Sequence, residues 1–258
     1  MIDFDKIWVE KYRPAKLDDI ILDERTLNIV KEFKNEIPNL LFVGNPGTGK
    51  TTLARVIVND ILGCNYLYIN ASDESGIDTI RHNITNFAQT KSFDGRVKVV
   101  ILDEADGLTA QAQAALRNTM ETFAKYCRFI LTANYKHKII PALQSRCQAL
   151  DIKPIVELAV KRCYYILKNE NVKVPEEQKV KFIQLVKRHF PDLRKAINEL
   201  QKNVIDSELC IASINSDNEL LETIFKKVVS KKSLEARRYL IENEDRFQGD
   251  YDTLLANF

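Results

Sequence analysis

The sequence has no apolar run approaching the roughly 20 residues of a membrane span. Its opening, MIDFDKIWVEKYRP, is charged throughout and has no apolar stretch of signal-peptide length. Both absences predict a cytoplasmic protein. Neither sign of charge dominates: 38 Lys+Arg face 36 Asp+Glu, a net of +2. The chain therefore lacks the bulk charge with which a protein holds DNA alone, and any nucleic-acid contact is expected to be local or shared among subunits. No CxxC pair occurs among Cys64, Cys127, Cys147, Cys163 and Cys210. The odd number suits a reducing compartment, and all five are expected to be buried thiols. His82, His137 and His189 stand far apart, without zinc-ligand spacing. There is no internal repeat, and 258 residues hold one α/β domain with a smaller satellite.

What is present is an alternation. Residues 24–35 place Leu27, Val30 and Phe33 on one helical stripe. Short apolar runs follow at 39–43, 66–70, 97–102, 127–132 and 147–152, separated by helical patterns near 50–62, 77–90 and 109–123 and by a short one before Arg146. Strand and helix alternating in this way predict an α/β fold with a five-stranded parallel sheet covered on both faces. From Pro154 the pattern is helical only, over about 155–169, 176–189 and 191–203, with Pro175 and Pro191 as helix starters. The expected division is a nucleotide-binding domain over 1–152, a three-helix lid over 153–204, and a C-terminal region over 205–258 that is helical in pattern.

GNPGTGKT at 44–51 fits GxxxxGK[ST] through Gly44, Gly49, Lys50 and Thr51, between the strand NLLFV and the helix TTLARVIVND. Glycines let backbone N–H groups close around phosphates at a helix N-terminus, where the dipole favours anions. Lys50 is expected on the β- and γ-phosphates of ATP, and Thr51 on Mg2+. In VVILDEAD, Asp103 and Glu104 follow four apolar residues and so emerge at the C-terminal end of a buried strand, beside the phosphate loop. Asp103 is read as the metal carboxylate and Glu104 as the base for the attacking water. Asn134 and Asn70 end neighbouring strands on that same edge, and Asn134 is placed to share the attacking water.

Through these motifs the chain resembles the AAA+ ATPases of sliding-clamp loaders: replication factor C small subunits and the large clamp-loader subunit of T-even-type bacteriophages. The resemblance runs through WVEKYRP, GNPGTGKTT, NASDESGIDTIR, DEADGLTAQAQAALRNTME, TAN, QSRC and FPDLRKAINELQ, over about the first 200 residues, and looks closer to the phage branch. It implies that Val9, Glu10, Lys11 and Tyr12 form an arm over the adenine, with Ile21 near it, and that Gly44, Gly47, Thr48, Gly49, Lys50, Thr51 and Thr52 form the phosphate loop. It makes Arg194 a lid arginine for the γ-phosphate of its own subunit, and Arg146 an arginine finger for a neighbour's ATP. Asn70 looks like a switch restraining Glu104, and Gln113 like a coupler of neighbouring sites. The helix opened by SGIDTIRHN faces template phosphates by the same resemblance, so Thr79 and Arg81 are expected to contact DNA. Phe93, in the turn after that helix, reads as a contact to the sliding clamp. The implied partners are the clamp, other clamp-loader subunits in a hetero-pentamer, and primer–template DNA, with no membrane.

The cysteine cluster of the bacterial loaders is missing here, and residues 206–258 are too short for a full helical collar, so either the chain is truncated or the collar reduced. A DEAD-box helicase needs a second ATPase-like domain, which this length excludes. A non-hydrolysing nucleotide-dependent scaffold predicts a disrupted Asp103–Glu104 pair, and the pair is intact. A Holliday-junction motor is the alternative AAA+ reading; WVEKYRP and SRC resemble loaders instead.

Overall fold

The computed structural model describes residues 7–34, 36–72, 77–90, 97–211, 223–230 and 233–242, and in 77–81 and 233 the backbone alone. Five strands, β1 (Leu40–Val43), β2 (Tyr66–Asn70), β3 (Lys98–Asp103), β4 (Cys127–Ala133) and β5 (Gln148–Asp151), form one sheet in the order β2-β3-β4-β1-β5. Every pairing is parallel. Such a sheet must be buried on both faces, and β3 is buried at all six positions. Side chains alternate across a strand. Val99 and Ile101 therefore join Leu40, Phe42 and Ile130 in one core, while Val100 and Leu102 join Leu41, Phe129 and Leu131 in the other.

The first core is closed by α2 (Glu24–Glu32) and α3 (Lys50–Val56), through Val30, Leu53 and Ala54. The second is closed by α4 (Ile77–Gln89) and α5 (Ala110–Thr122), through Ile84, Leu116 and Met120. Asp23 and Thr109 accept the N-terminal N–H groups of Thr26 and Ala112, which explains why α2 and α5 begin where they do. Ahead of the sheet lies one helical turn, α1 (Trp8–Lys11); between the last two strands lies α6 (Pro141–Gln144), with proline in its first turn. Beyond the sheet come α7 (Val156–Asn169), α8 (Glu176–His189) and α9 (Leu193–Lys202).

The chain divides into two compact units. One is Met1–Asn171 with Val186–Lys202, and the other is Val172–Leu185 with Asn203–Phe258, so that α8 contributes to both. The second unit corrects the all-helical expectation after residue 205. Val204–Ile205 (β6) and Glu208–Leu209 (β7) form an antiparallel hairpin, with Leu209 and Ser207 bonded to Lys173 of the same unit. Its two turn residues, Asp206 and Ser207, lie at φ 48° and 63°. Positive φ at both central positions is what a two-residue hairpin turn needs, and Asp-Ser is a weaker signal for it than Asn-Gly. Helices follow at 223–229 (α10) and Ser233–Glu242 (α11).

The expectation of five buried thiols is also corrected. Cys64, Cys127 and Cys163 are buried, Cys147 is half-buried and Cys210 is exposed. Cys210 directly follows the buried Leu209 of β7 and falls on the opposite side, as strand alternation requires. Cys147 precedes the edge strand β5, where one flank of the sheet ends. Among the described residues, no helix is long and apolar enough to cross a membrane.

Candidate nucleotide-binding site

The strands are parallel, so their C-terminal ends share one edge. There β1 gives way to the phosphate loop and β3 ends on Asp103. A cleft open to solvent lies on that edge, lined by Gly47, Thr48, Gly49, Lys50, Thr51 and Thr52 of the loop and by Asp103, Glu104 and Asn134 of the strand ends. Val9, Tyr12 and Ile21 line it from the N-terminal arm, and Arg194 lines it from the start of α9.

Each group is fixed by local chemistry. Lys50 is 7% exposed and has three protons to place; Nζ donates to Gly44 O, Asn45 O and Asn134 Oδ1, each at 2.8 Å. Burial pushes its pKa down, and Asp103, Asp106 and Glu104 pull in the opposite direction. Thr51 Oγ1 donates to both oxygens of Asp103, at 2.8 and 2.9 Å. A hydroxyl and a carboxylate in contact at the end of a buried strand form the hard oxygen pair that Mg2+ takes, usually beside substrate phosphates. The residues present therefore fit that cation.

Glu104 is exposed and left-handed, at φ 54° and ψ 42°, a conformation that costs a non-glycine residue about 1–2 kcal/mol. The surroundings enforce it: Thr132 Oγ1 accepts the Glu104 N–H at 3.0 Å, and Gly107 N–H closes the following turn on Glu104 O at 2.8 Å. The chain thus turns out of the sheet immediately after Asp103, leaving the Asp103 carboxylate inside and the Glu104 side chain at the mouth. Thr132 also donates to Asp103 Oδ1 at 2.5 Å, so one hydroxyl orients both acidic residues. Asp106 Oδ2 receives the N–H groups of Asn134 and Tyr135, each at 3.2 Å, and so holds the tip that presents the Asn134 amide.

The N-terminal arm is held against helices of its own unit. Tyr12 donates to Glu170 at 2.5 Å and Lys11 pairs with Glu170 at 2.7 Å, while Arg162 bridges Asp19 and the Tyr12 carbonyl. Burial, then Glu170, pushes the Tyr12 phenol up to about 12. Glu10 pairs with Arg13 at 2.7 Å. Glu10 and Lys11 therefore support the arm, while Val9 and Tyr12 face the cleft.

Gly47 is where α9 meets the loop. It has φ +75°, its carbonyl accepts the Leu193 N–H at 3.3 Å, and an added Cβ would fall 2.3 Å from Asp192 Cγ and 3.0 Å from Asp192 Cα. Asp192 cannot simply rotate away, because it caps α9 by accepting the Lys195 N–H. Gly49 has φ +94° but nothing within 4 Å of its Cβ position. Gly47→Ala is therefore expected to lower the unfolding temperature of the nucleotide-free protein several degrees more than Gly49→Ala, at about 2–4 °C per kcal/mol for a chain of this size. Equal shifts by thermal denaturation would show that the close approach of Asp192 carries no stability.

The other sequence-predicted residues that the structure describes do not line the cleft. Gly44 packs on Ile152, whose carbonyl would be 2.7 Å from a Cβ. Gln113 is 2% exposed and ties α5 to the segment after β4, donating to Leu108 O and Lys138 O and accepting from Ile140 N–H. Asn70, opposite Asp103 in the sheet register, accepts from the N–H and hydroxyl of Ser72. Arg146 stands at the other end of the sheet: its carbonyl meets Asn39, the residue before β1, whereas the phosphate loop follows β1. Its guanidinium contacts Glu121 and the Ala142 carbonyl. The side chains of Thr79 and Arg81, and all of Phe93, lie outside the described residues. Sequence reasoning missed Thr132, Asp106, Arg162 and Asp192.

Residues 40–154 match the family described as "ATPase family associated with various cellular activities (AAA)", and residues 151–210 match "Sliding-clamp-loader large subunit, AAA+ ATPase lid domain". The chain is 41% identical over 261 residues to a replication factor C small subunit of Archaeoglobus fulgidus, covering 95% of this chain and 79% of that one. It is 38% identical to replication factor C subunit 3 of Blastobotrys adeninivorans, covering 97% and 73%. Among solved structures, the Thermotoga maritima RuvB Holliday junction branch migration motor superposes with a TM-score of 0.61 at 18% identity, over 90% of this chain and 91% of that one. That likeness shows the AAA+ fold.

Proposed function

Because the chain belongs to the replication factor C small-subunit family of AAA+ clamp-loader ATPases, we propose that it hydrolyses ATP to open a sliding clamp and close it on primer–template DNA. The observation that carries this reading is the extent of the match. It continues past the ATPase core into the lid, through residue 210, and the lid is the part whose matching family is itself a clamp-loader family.

In this reading ATP is bound by the loop 44–52 at the N-terminus of α3, where unpaired N–H groups and the helix dipole favour phosphate. The arm at Val9, Tyr12 and Ile21 covers the base, and Arg194 brings α9 to the γ-phosphate. Thr51 and Asp103 hold Mg2+, which when bound neutralises charge on the phosphates. Glu104 takes the proton of the attacking water, and Asn134 positions that water. Asn70 restrains Glu104 until DNA arrives on α4, through Thr79 and Arg81. Gln113, buried between α5 and the loop after β4, transmits the state of one site toward the next. Phe93 meets the clamp. The working assembly is a hetero-pentamer in the cytoplasm. The division into a nucleotide domain to residue 152, a lid to 204 and a partial collar beyond follows the same reading.

The test is stimulation of steady-state ATP hydrolysis. Primer–template DNA with the cognate clamp and partner subunits is expected to raise the rate well above that of the chain alone, and a four-way junction is not. A junction that stimulates while clamp and primer–template DNA do not would replace the loader reading with a branch-migration motor.

A further inference from the structure

Asp103 receives a third hydroxyl that the phosphate-loop chemistry does not require. Tyr68, half-buried on β2, donates its phenol proton to Asp103 Oδ2 at 2.8 Å, while Thr132 donates to Oδ1 at 2.5 Å and Thr51 to both oxygens. Three strands or helices thus converge on one carboxylate, whose terminal torsion is intrinsically broad. When a cation takes the oxygen of Thr51, the donors that remain on the carboxylate are Thr132 on one oxygen and Tyr68 on the other. The ring that carries the phenol is itself held, because the Arg55 guanidinium of α3 stacks over it at 4.6 Å. A phenol ordinarily titrates at about pH 10, so at neutral pH it keeps its proton and remains a donor.

We propose that Tyr68 is a positioning residue for the metal site, fixing the rotation of the Asp103 carboxylate so that one oxygen stays turned toward the cation held with Thr51. The inference rests on the reading of Asp103 as the metal carboxylate. It gives β2 two jobs on one edge, since Asn70 lies two residues on, at the same strand's end.

The experiment uses the full chain, a fluorescent ATP analogue, and affinity measured in EDTA and in saturating Mg2+. Tyr68→Phe keeps the ring over which Arg55 stacks and removes the hydroxyl that donates to Asp103. Its affinity in EDTA is expected to match the wild type, while the Mg2+-dependent gain in affinity falls about tenfold, the size of one hydrogen bond to a charged group. In an Asp103→Asn background the same change is expected to add nothing, because the two act through one carboxylate. An unchanged Mg2+ gain in Tyr68→Phe, an equal loss in EDTA, or a chain that no longer folds would each overturn the proposal. If Asp103→Asn alone left the Mg2+ gain intact, the metal reading of Asp103 itself would fall, a separate result.

Discussion

Glu104→Gln is expected to bind ATP as the wild type does and to hydrolyse it at least a hundredfold more slowly, because a positioned general base supplies about 10²–10⁴ in rate. The side chain stands exposed at the mouth of the cleft, and its backbone is held by Thr132 and Gly107, so an amide of the same shape leaves the surroundings unchanged. What the amide cannot do is accept the proton of water. Lys50→Ala is expected to fail earlier, at binding. Lys50 is the buried cation of the loop, and its removal takes the Nζ donor from Gly44 O and Asn134 Oδ1, while Asn45 O keeps only its bond from the Thr48 hydroxyl. Equilibrium nucleotide binding and steady-state phosphate release, measured separately, give the two variants opposite signatures. Wild-type hydrolysis by Glu104→Gln would remove Glu104 from the role of base, whatever Lys50→Ala did.

These two residues were legible because their signals are local. The GxxxxGKT spacing and the apolar run before Asp103 each lie within about ten residues, and a strand buried at all six positions can belong only to the interior of a covered sheet. Thr132 and Tyr68 were not legible, because they reach Asp103 through strand register. Leu102 pairs with Leu131, which sets Thr132 beside Asp103, and Tyr68 comes from the strand on the other flank. No spacing in the chain announces either contact. The same holds for the arm, where Tyr12 meets Glu170 from 158 residues away. The hairpin at 204–209 was missed for a different reason: its turn uses Asp-Ser where glycine is the usual marker of positive φ. Arg194 and Val9 were placed in the cleft by family resemblance, whereas the contact of Asp192 with Gly47 required coordinates.

Arg146→Ala is expected to bind ATP normally and to lose at least tenfold of its DNA- and clamp-stimulated hydrolysis, since even about 1.4 kcal/mol of transition-state stabilisation is a factor of ten. The geometry supports action in a second subunit. The Arg146 carbonyl meets Asn39 before β1, whereas the phosphate loop begins after β1, so a whole strand of about 13 Å, four residues at about 3.3 Å each, separates its backbone from its own loop. Its present partner does not immobilise it. The Glu121 and Arg146 side chains keep 49% and 35% of their exposure, and ion pairs so accessible to solvent contribute about 0–1 kcal/mol, a loss that a phosphate contact readily offsets. An arginine serving a neighbour makes a specific demand of mixtures. An Arg146→Ala chain brings an intact pocket and a Lys50→Ala chain an intact finger, so assemblies shown to contain both should regain part of the activity at interfaces that join the two. Full recovery is not expected, because random assembly also joins defective pockets to defective fingers. If verified mixed assemblies stayed as inactive as their components, Arg146 would act within its own chain or only on structure, and coupling of hydrolysis to assembly would need another residue.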